Sequence, residues 1–121
     1  MRYMFLIYAS EASELQAAAP ARGAAAARHH AAISEARARG VLRGAEPLKP
    51  TSAATTIRWR GGRTVITDGP VAETKEQLAG YYVIECRDLD DAIDWARKIP
   101  TSFQGADGAI EIRPVDDIEG A

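Results

Sequence analysis

The chain has 121 residues, with 15 basic and 17 acidic side chains, a net charge of −2 and 46% hydrophobic residues. That is one domain's worth of sequence, 1–121, too apolar for a disordered chain and lacking the basic excess of a nucleic-acid binder. No apolar run nears the roughly 20 residues that cross a bilayer, and the single cysteine, Cys86, excludes an internal disulfide and a multi-cysteine metal centre.

Residues 2–8, Arg-Tyr-Met-Phe-Leu-Ile-Tyr, form a β-prone run. Tyr3, Phe5 and Ile7 alternate with Met4, Leu6 and Tyr8, so both faces are apolar and the strand needs cover on both sides. The run is too short for a signal-peptide core and no small-residue cleavage site follows it. A cytoplasmic setting is therefore expected.

Residues 11–39 are rich in Ala, Glu, Arg and Gln, which are good helix formers. Pro20 and Gly23 interrupt them, predicting a short helix over 11–18, a break, and a longer helix over 22–39 that Gly40 ends. Ala26, His29, Ile33 and Ala36 follow the spacing of one helical face. Residues 41–46 read as a strand that runs into a loop with Pro47 and Pro50. Thr55 to Arg60 and Arg63 to Thr67 flank Gly61-Gly62, a two-residue hairpin turn. Thr74-Lys-Glu-Gln77 has capping-box spacing, although Gly80 leaves room for about one helical turn. Tyr81 to Cys86 is a further strand, again apolar on both faces. Asp88 caps a helix whose Leu89, Ala92, Ile93 and Ala96 form an apolar stripe, and Pro100 stops it. Ala109 to Val115 alternates as a last strand, followed by an acidic tail, Asp116 to Ala121.

With the hairpin set aside, the order is βαββαβ, the pattern of a ferredoxin-like α+β fold with an inserted β-hairpin. Two helices cover one face of such a sheet. Leaving the other apolar face wet costs about 1.5–3 kcal/mol per large side chain. The expected remedy is a homodimer with the two sheets face to face.

Several residues carry chemistry with more than one reading. Asp68, Glu73 and Lys75 lie in the densest polar stretch, between two strands. Asp68 or Glu73 could exchange a proton at a pocket rim while Lys75 holds an anion; equally, Asp68 and Thr74 could cap local turns. Tyr8, Tyr82, Tyr81 and Trp59 could line a cavity or fill the core. His29 and His30 point about 100° apart on a helix and are poorly placed to share one metal ion. No metal and no cofactor is expected. Cys86 closes an apolar strand and reads as an inert thiol. Arg58, Arg60 and Arg63 crowd the hairpin and offer a contact surface.

The stretch Asp68-Gly-Pro-Val-Ala-Glu-Thr-Lys-Glu-Gln-Leu-Ala-Gly-Tyr-Tyr82 closely resembles the signature of the YCII-related, or DGPF-domain, proteins. Met-Arg-Tyr-Met-Phe-Leu-Ile-Tyr at the start, Gly40-Val-Leu, Glu46-Pro-Leu, Asp88-Leu-Asp-Asp-Ala and Glu111-Ile-Arg-Pro-Val115 extend the likeness over nearly the whole chain. Val71 stands where that family usually carries phenylalanine. The resemblance implies a dimeric ferredoxin-like α/β barrel. It does not imply one reaction: most members have no established activity, some are encoded beside extracytoplasmic-function sigma factors, and one relative is a dehydrochlorinase. In a shorter branch, a helix histidine and an Asp-Pro aspartate face a pocket. His29, 11 residues before Gly40, resembles that histidine, whereas Ile99 precedes Pro100 where the aspartate would stand.

Two functional expectations follow. One is a dimeric pocket protein that binds a small molecule, with acid–base or lyase-like chemistry from His29, Asp68 and Glu73 and with Lys75, Tyr8 and Tyr82 as ligand contacts. The other is a non-catalytic regulatory module whose partner is a sigma factor. The sequence leaves open whether the protein is an enzyme.

Overall fold

The computed structural model describes residues 1–101 and 107–118. The elements run β1 (Arg2–Ala9), α1 (Glu11–Glu14), α2 (Ala19–Ala38), β2 (Leu42–Pro47), a 3-10 turn (Thr51–Ala53), β3 (Thr55–Arg60), β4 (Arg63–Asp68), β5 (Gln77–Glu85), α3 (Leu89–Ala96) and β6 (Ala109–Pro114). Four strands form one sheet in the order β2-β5-β1-β6, and β3 and β4 form a separate two-stranded sheet. All pairings are antiparallel. This is an α+β architecture compatible with a ferredoxin-like fold.

Strand register explains which side chains meet. Tyr3, Phe5 and Ile7 stand opposite Ile84, Tyr82 and Gly80 of β5, and Phe5 and Ile7 stand opposite Ile112 and Ile110 of β6. These residues point to the helix side of the sheet. There they join Ala32 and Ala36 of α2, Ala92 and Trp95 of α3, and Ile99 in one core cluster. Phe5 and Ile84 are fully buried. Met4, Leu6 and Tyr8 alternate to the other face with Tyr81 and Val83, and all five are only partly buried in the single chain. The double-sided apolar pattern of β1 is thus present, with the core on one side of it.

Two local expectations need correction. The segment 11–18 contributes only a four-residue helix, and α2 begins at Ala19, so Pro20 starts this helix instead of breaking it. An amide at the first turn has no intrahelical acceptor, and the fixed proline φ suits that position. The capping-box segment Thr74–Gln77 forms no helix. Its side chains bond locally instead: Thr74 Oγ1 donates to the Glu76 carbonyl, and Gln77 Nε2 donates to the Thr74 carbonyl. As a result β5 starts at Gln77, four residues before the expected Tyr81.

Asp88 caps α3 as expected, its carboxylate accepting from the Asp91 amide at 2.9 Å. Gly61 and Gly62 adopt φ of 55° and 78° in the hairpin turn, the left-handed geometry that a type I′ turn demands. Beyond β6 the acidic end is held to β1. The Val115 amide donates to the Arg2 carbonyl, and the Arg2 guanidinium pairs with Asp117 at 3.1 Å. Residues 119–121 of the expected tail lie outside the described residues. Among the described residues, no helix is long and apolar enough to cross a membrane.

Candidate functional site

Between α2 and the β2–β5 end of the sheet lies a cavity of about 460 Å³, within the roughly 300–1,000 Å³ of small-molecule sites. Its origin is a local deficit of side-chain volume. Ala25 and Ala26 on α2, Ala9 on β1, Ala45 on β2, and Ala79 and Gly80 on β5 all line it. Where α2 approaches the core it buries alanines alone, Ala25, Ala32 and Ala36. Ile7, Ile33, Pro47, Leu48 and Pro100 complete an apolar wall.

His29 and Tyr82 bring polar chemistry to this wall. His29 sits on α2 four residues after the buried Ala25, on the stripe that faces the sheet. Tyr82, on β5, is 3% exposed. His29 Nδ1 and Tyr82 Oη are 2.7 Å apart, a hydrogen bond between the rings, which also lie nearly parallel at an interplanar angle of 26°. Burial, aided by the positive charge of Arg28, holds the His29 pKa below its ordinary value and favours the neutral ring. Burial pushes the Tyr82 hydroxyl up to about 12, so it keeps its proton. A neutral imidazole carries one N–H and one lone pair, and a phenol is donor and acceptor at once. Either group can therefore donate in the shared bond, and Nε2 remains for a ligand.

The rim is tied down from several directions. The Glu11 carboxylate accepts from both the amide and the hydroxyl of Thr51, each at 2.8 Å. The Glu11 amide donates to Gln77 Oε1 at 2.8 Å, which fastens α1 to the start of β5. Arg22 reaches back to the Ala17 and Glu14 carbonyls at 3.1 and 3.0 Å and closes the α1–α2 link. These contacts hold Glu14 at the cavity edge, where Glu46, His30 and Thr101 also lie.

The structure brings together two of the residues singled out from the sequence, His29 and Tyr82, and leaves the others elsewhere. Asp68 ends β4 opposite Thr55, and Glu73 and Lys75 follow in the exposed link to β5. None of the three lines the cavity; the hairpin is a sheet of its own. Tyr8 stands opposite Leu78 on the other face of the main sheet and does not line the cavity either. Ile99, at the position of the missing aspartate, is buried in the core. The orienting partner of His29 is thus a tyrosine 53 positions away in sequence, a pairing that only the strand register reveals. Glu14 and Thr101 carried no sequence signal. Cys86 is buried, and burial pushes its thiol up to about 11, far from a reactive thiolate. Among the described residues, no three His, Cys, Asp or Glu side chains are grouped to hold a metal ion.

The chain thus combines a four-stranded antiparallel sheet backed by α2 and α3, an α+β architecture, with a polar pair at a cavity under the longer helix. The YCII-related domain matches residues 1–119, and the chain belongs to the YCII-related family. It is similar to the uncharacterised protein R00369 of Rhizobium meliloti (strain 1021), with 48% identity over 68 residues. That match covers 56% of this chain and 54% of the relative, so the likeness spans about half of each.

Proposed function

We propose that the protein binds a small, largely apolar molecule in the cavity beneath α2 and that His29 and Tyr82 exchange protons with it. The observation that carries this reading is the 2.7 Å bond between His29 Nδ1 and Tyr82 Oη at the wall of that cavity. A neutral histidine oriented by a second group is suited to general acid–base work near pH 7. The tyrosine supplies the orientation that a carboxylate would otherwise give. A fragment screen followed by NMR tests the reading. Bound fragments should shift the signals of His29 and of the α2 alanines, and His29→Ala and Tyr82→Phe should weaken them. Fragments that bind elsewhere, with affinities unchanged in both variants, would contradict it.

The working form in this reading is a homodimer. Met4, Leu6, Tyr8, Tyr81 and Val83 share the face of the sheet opposite the core, and a second copy of that face would bury them, giving a dimeric α/β barrel. The hairpin favours a second reading, a protein-contact module with a sigma factor as partner. Ile57 stands opposite Ile66, and Trp59 follows on the same side; their exposures are 47%, 68% and 69%. Trp59→Ser and Arg60→Glu should abolish co-purification with a sigma factor if this surface makes the contact.

A further inference from the structure

Resting on the reading of the cavity as a ligand site, we propose that its substrate is an uncharged carbonyl compound, which His29 and Tyr82 tautomerise between keto and enol forms. The charge class follows from the lining. Among the described residues, no Lys or Arg lines the cavity, whereas Glu14 and Glu46 do. A carboxylate or phosphate drawn into this apolar space would lose its hydration and find no lysine or arginine in the described lining to replace it. A neutral molecule loses little on entry and gains contact with Ile7, Ile33 and Leu48.

The reaction class follows from the pair. In one arrangement, His29 carries its proton on Nδ1 and donates it to Tyr82 Oη, which leaves an Nε2 lone pair and a phenolic O–H for the ligand. Nε2 takes a proton from the carbon beside the carbonyl. The C–H electron pair becomes the C=C bond, and the carbonyl π pair moves to oxygen. That oxygen takes the Tyr82 proton, and Oη is refilled by the Nδ1 proton across the 2.7 Å bond. The product is the enol. The site ends with the proton on Nε2 and with Tyr82 donating to Nδ1. No ion is left in the cavity and no co-reactant is consumed, and the reverse sequence restores the start. A histidine paired with an aspartate would form an imidazolium at this step; a histidine paired with a protonated tyrosine need not.

Hydrogen–deuterium exchange in heavy water tests the proposal, with cyclohexanone as the neutral probe and levulinate as a ketone that carries a carboxylate. Loss of the α-proton signals is followed by NMR in the presence of the full chain. The wild type should accelerate exchange of cyclohexanone at least tenfold over the His29→Gln and Tyr82→Phe variants, with levulinate at the background rate. Circular dichroism establishes that the variants are folded. Cyclohexanone that shifts the His29 imidazole signals without faster exchange would overturn the tautomerisation and leave the binding site standing. Levulinate that binds or exchanges as well as cyclohexanone would overturn the charge selection. If neither probe perturbs His29, both the inference and the ligand-site reading fall.

Discussion

At the level of single residues, Gly80 shows how closely backbone and site are coupled. A Cβ at this position would lie 2.8 Å from the Glu46 carbonyl oxygen and 3.2 Å from the Pro47 Cα, both backbone atoms of the paired edge strand. Gly80→Ala must push β2 away from β5. It should cost about 1–3 kcal/mol, read as a lower midpoint in urea with an unchanged slope. His29 and Tyr82 give pH dependences of opposite sense. The folded chain holds the His29 pKa below 6.5, so the unfolded chain binds that proton first as pH falls. The stability linked to His29 is complete above about 6.5 and is lost as pH falls from there through the lower folded value. Tyr82 is raised from 10 to about 12. Its share is complete below 10 and disappears as pH rises between those values. Urea melts across pH should therefore flatten at the acid end in His29→Gln and at the alkaline end in Tyr82→Phe.

Among the elements, those with strong local chemistry were legible from sequence. The Asp88 cap, the Gly61-Gly62 turn and the alternation of β1 each have one dominant physical cause, and each stands in the structure. Asp88→Ala should destabilise the chain by about 1 kcal/mol through loss of the α3 cap. Pro20 was misread because its effect depends on position: a breaker inside a helix, it is a favourable residue in the first turn. The Thr74–Gln77 spacing makes no helix because the threonine and glutamine side chains bond local carbonyls instead. The cavity was invisible for a different reason. Alanine along α2 reads as helix propensity, and only packing against the small residues of β1, β2 and β5 turns those alanines into a void. His29 was legible as a candidate, but its link to Tyr82 needs the register that brings β5 beneath α2. The hairpin, a sheet of its own, contributes no residue to the described lining of the cavity. Asp68→Ala and Lys75→Ala should thus leave fragment binding within about twofold of wild type, measured by calorimetry.

In the whole molecule the sheet has its core on one face, and the cavity lies on that same face. The opposite face, with Met4, Leu6, Tyr8, Tyr81 and Val83, is only partly buried in the single chain and is the surface we propose for a second copy. Sedimentation equilibrium at micromolar concentration should return twice the chain mass, and Leu6→Glu should return the chain mass with a native near-ultraviolet spectrum. The core faces away from that contact, so the cavity should survive in the separated subunit. NMR of the 15N-labelled imidazoles reads directly whether His29 and Tyr82 act as one unit at the cavity wall. Burial should favour the neutral His29 ring, its tautomer balance should change in Tyr82→Phe while the His30 signals do not respond, and cyclohexanone should move the same His29 signals. His29 signals that ignore both the tyrosine substitution and the ketone would contradict this pairing.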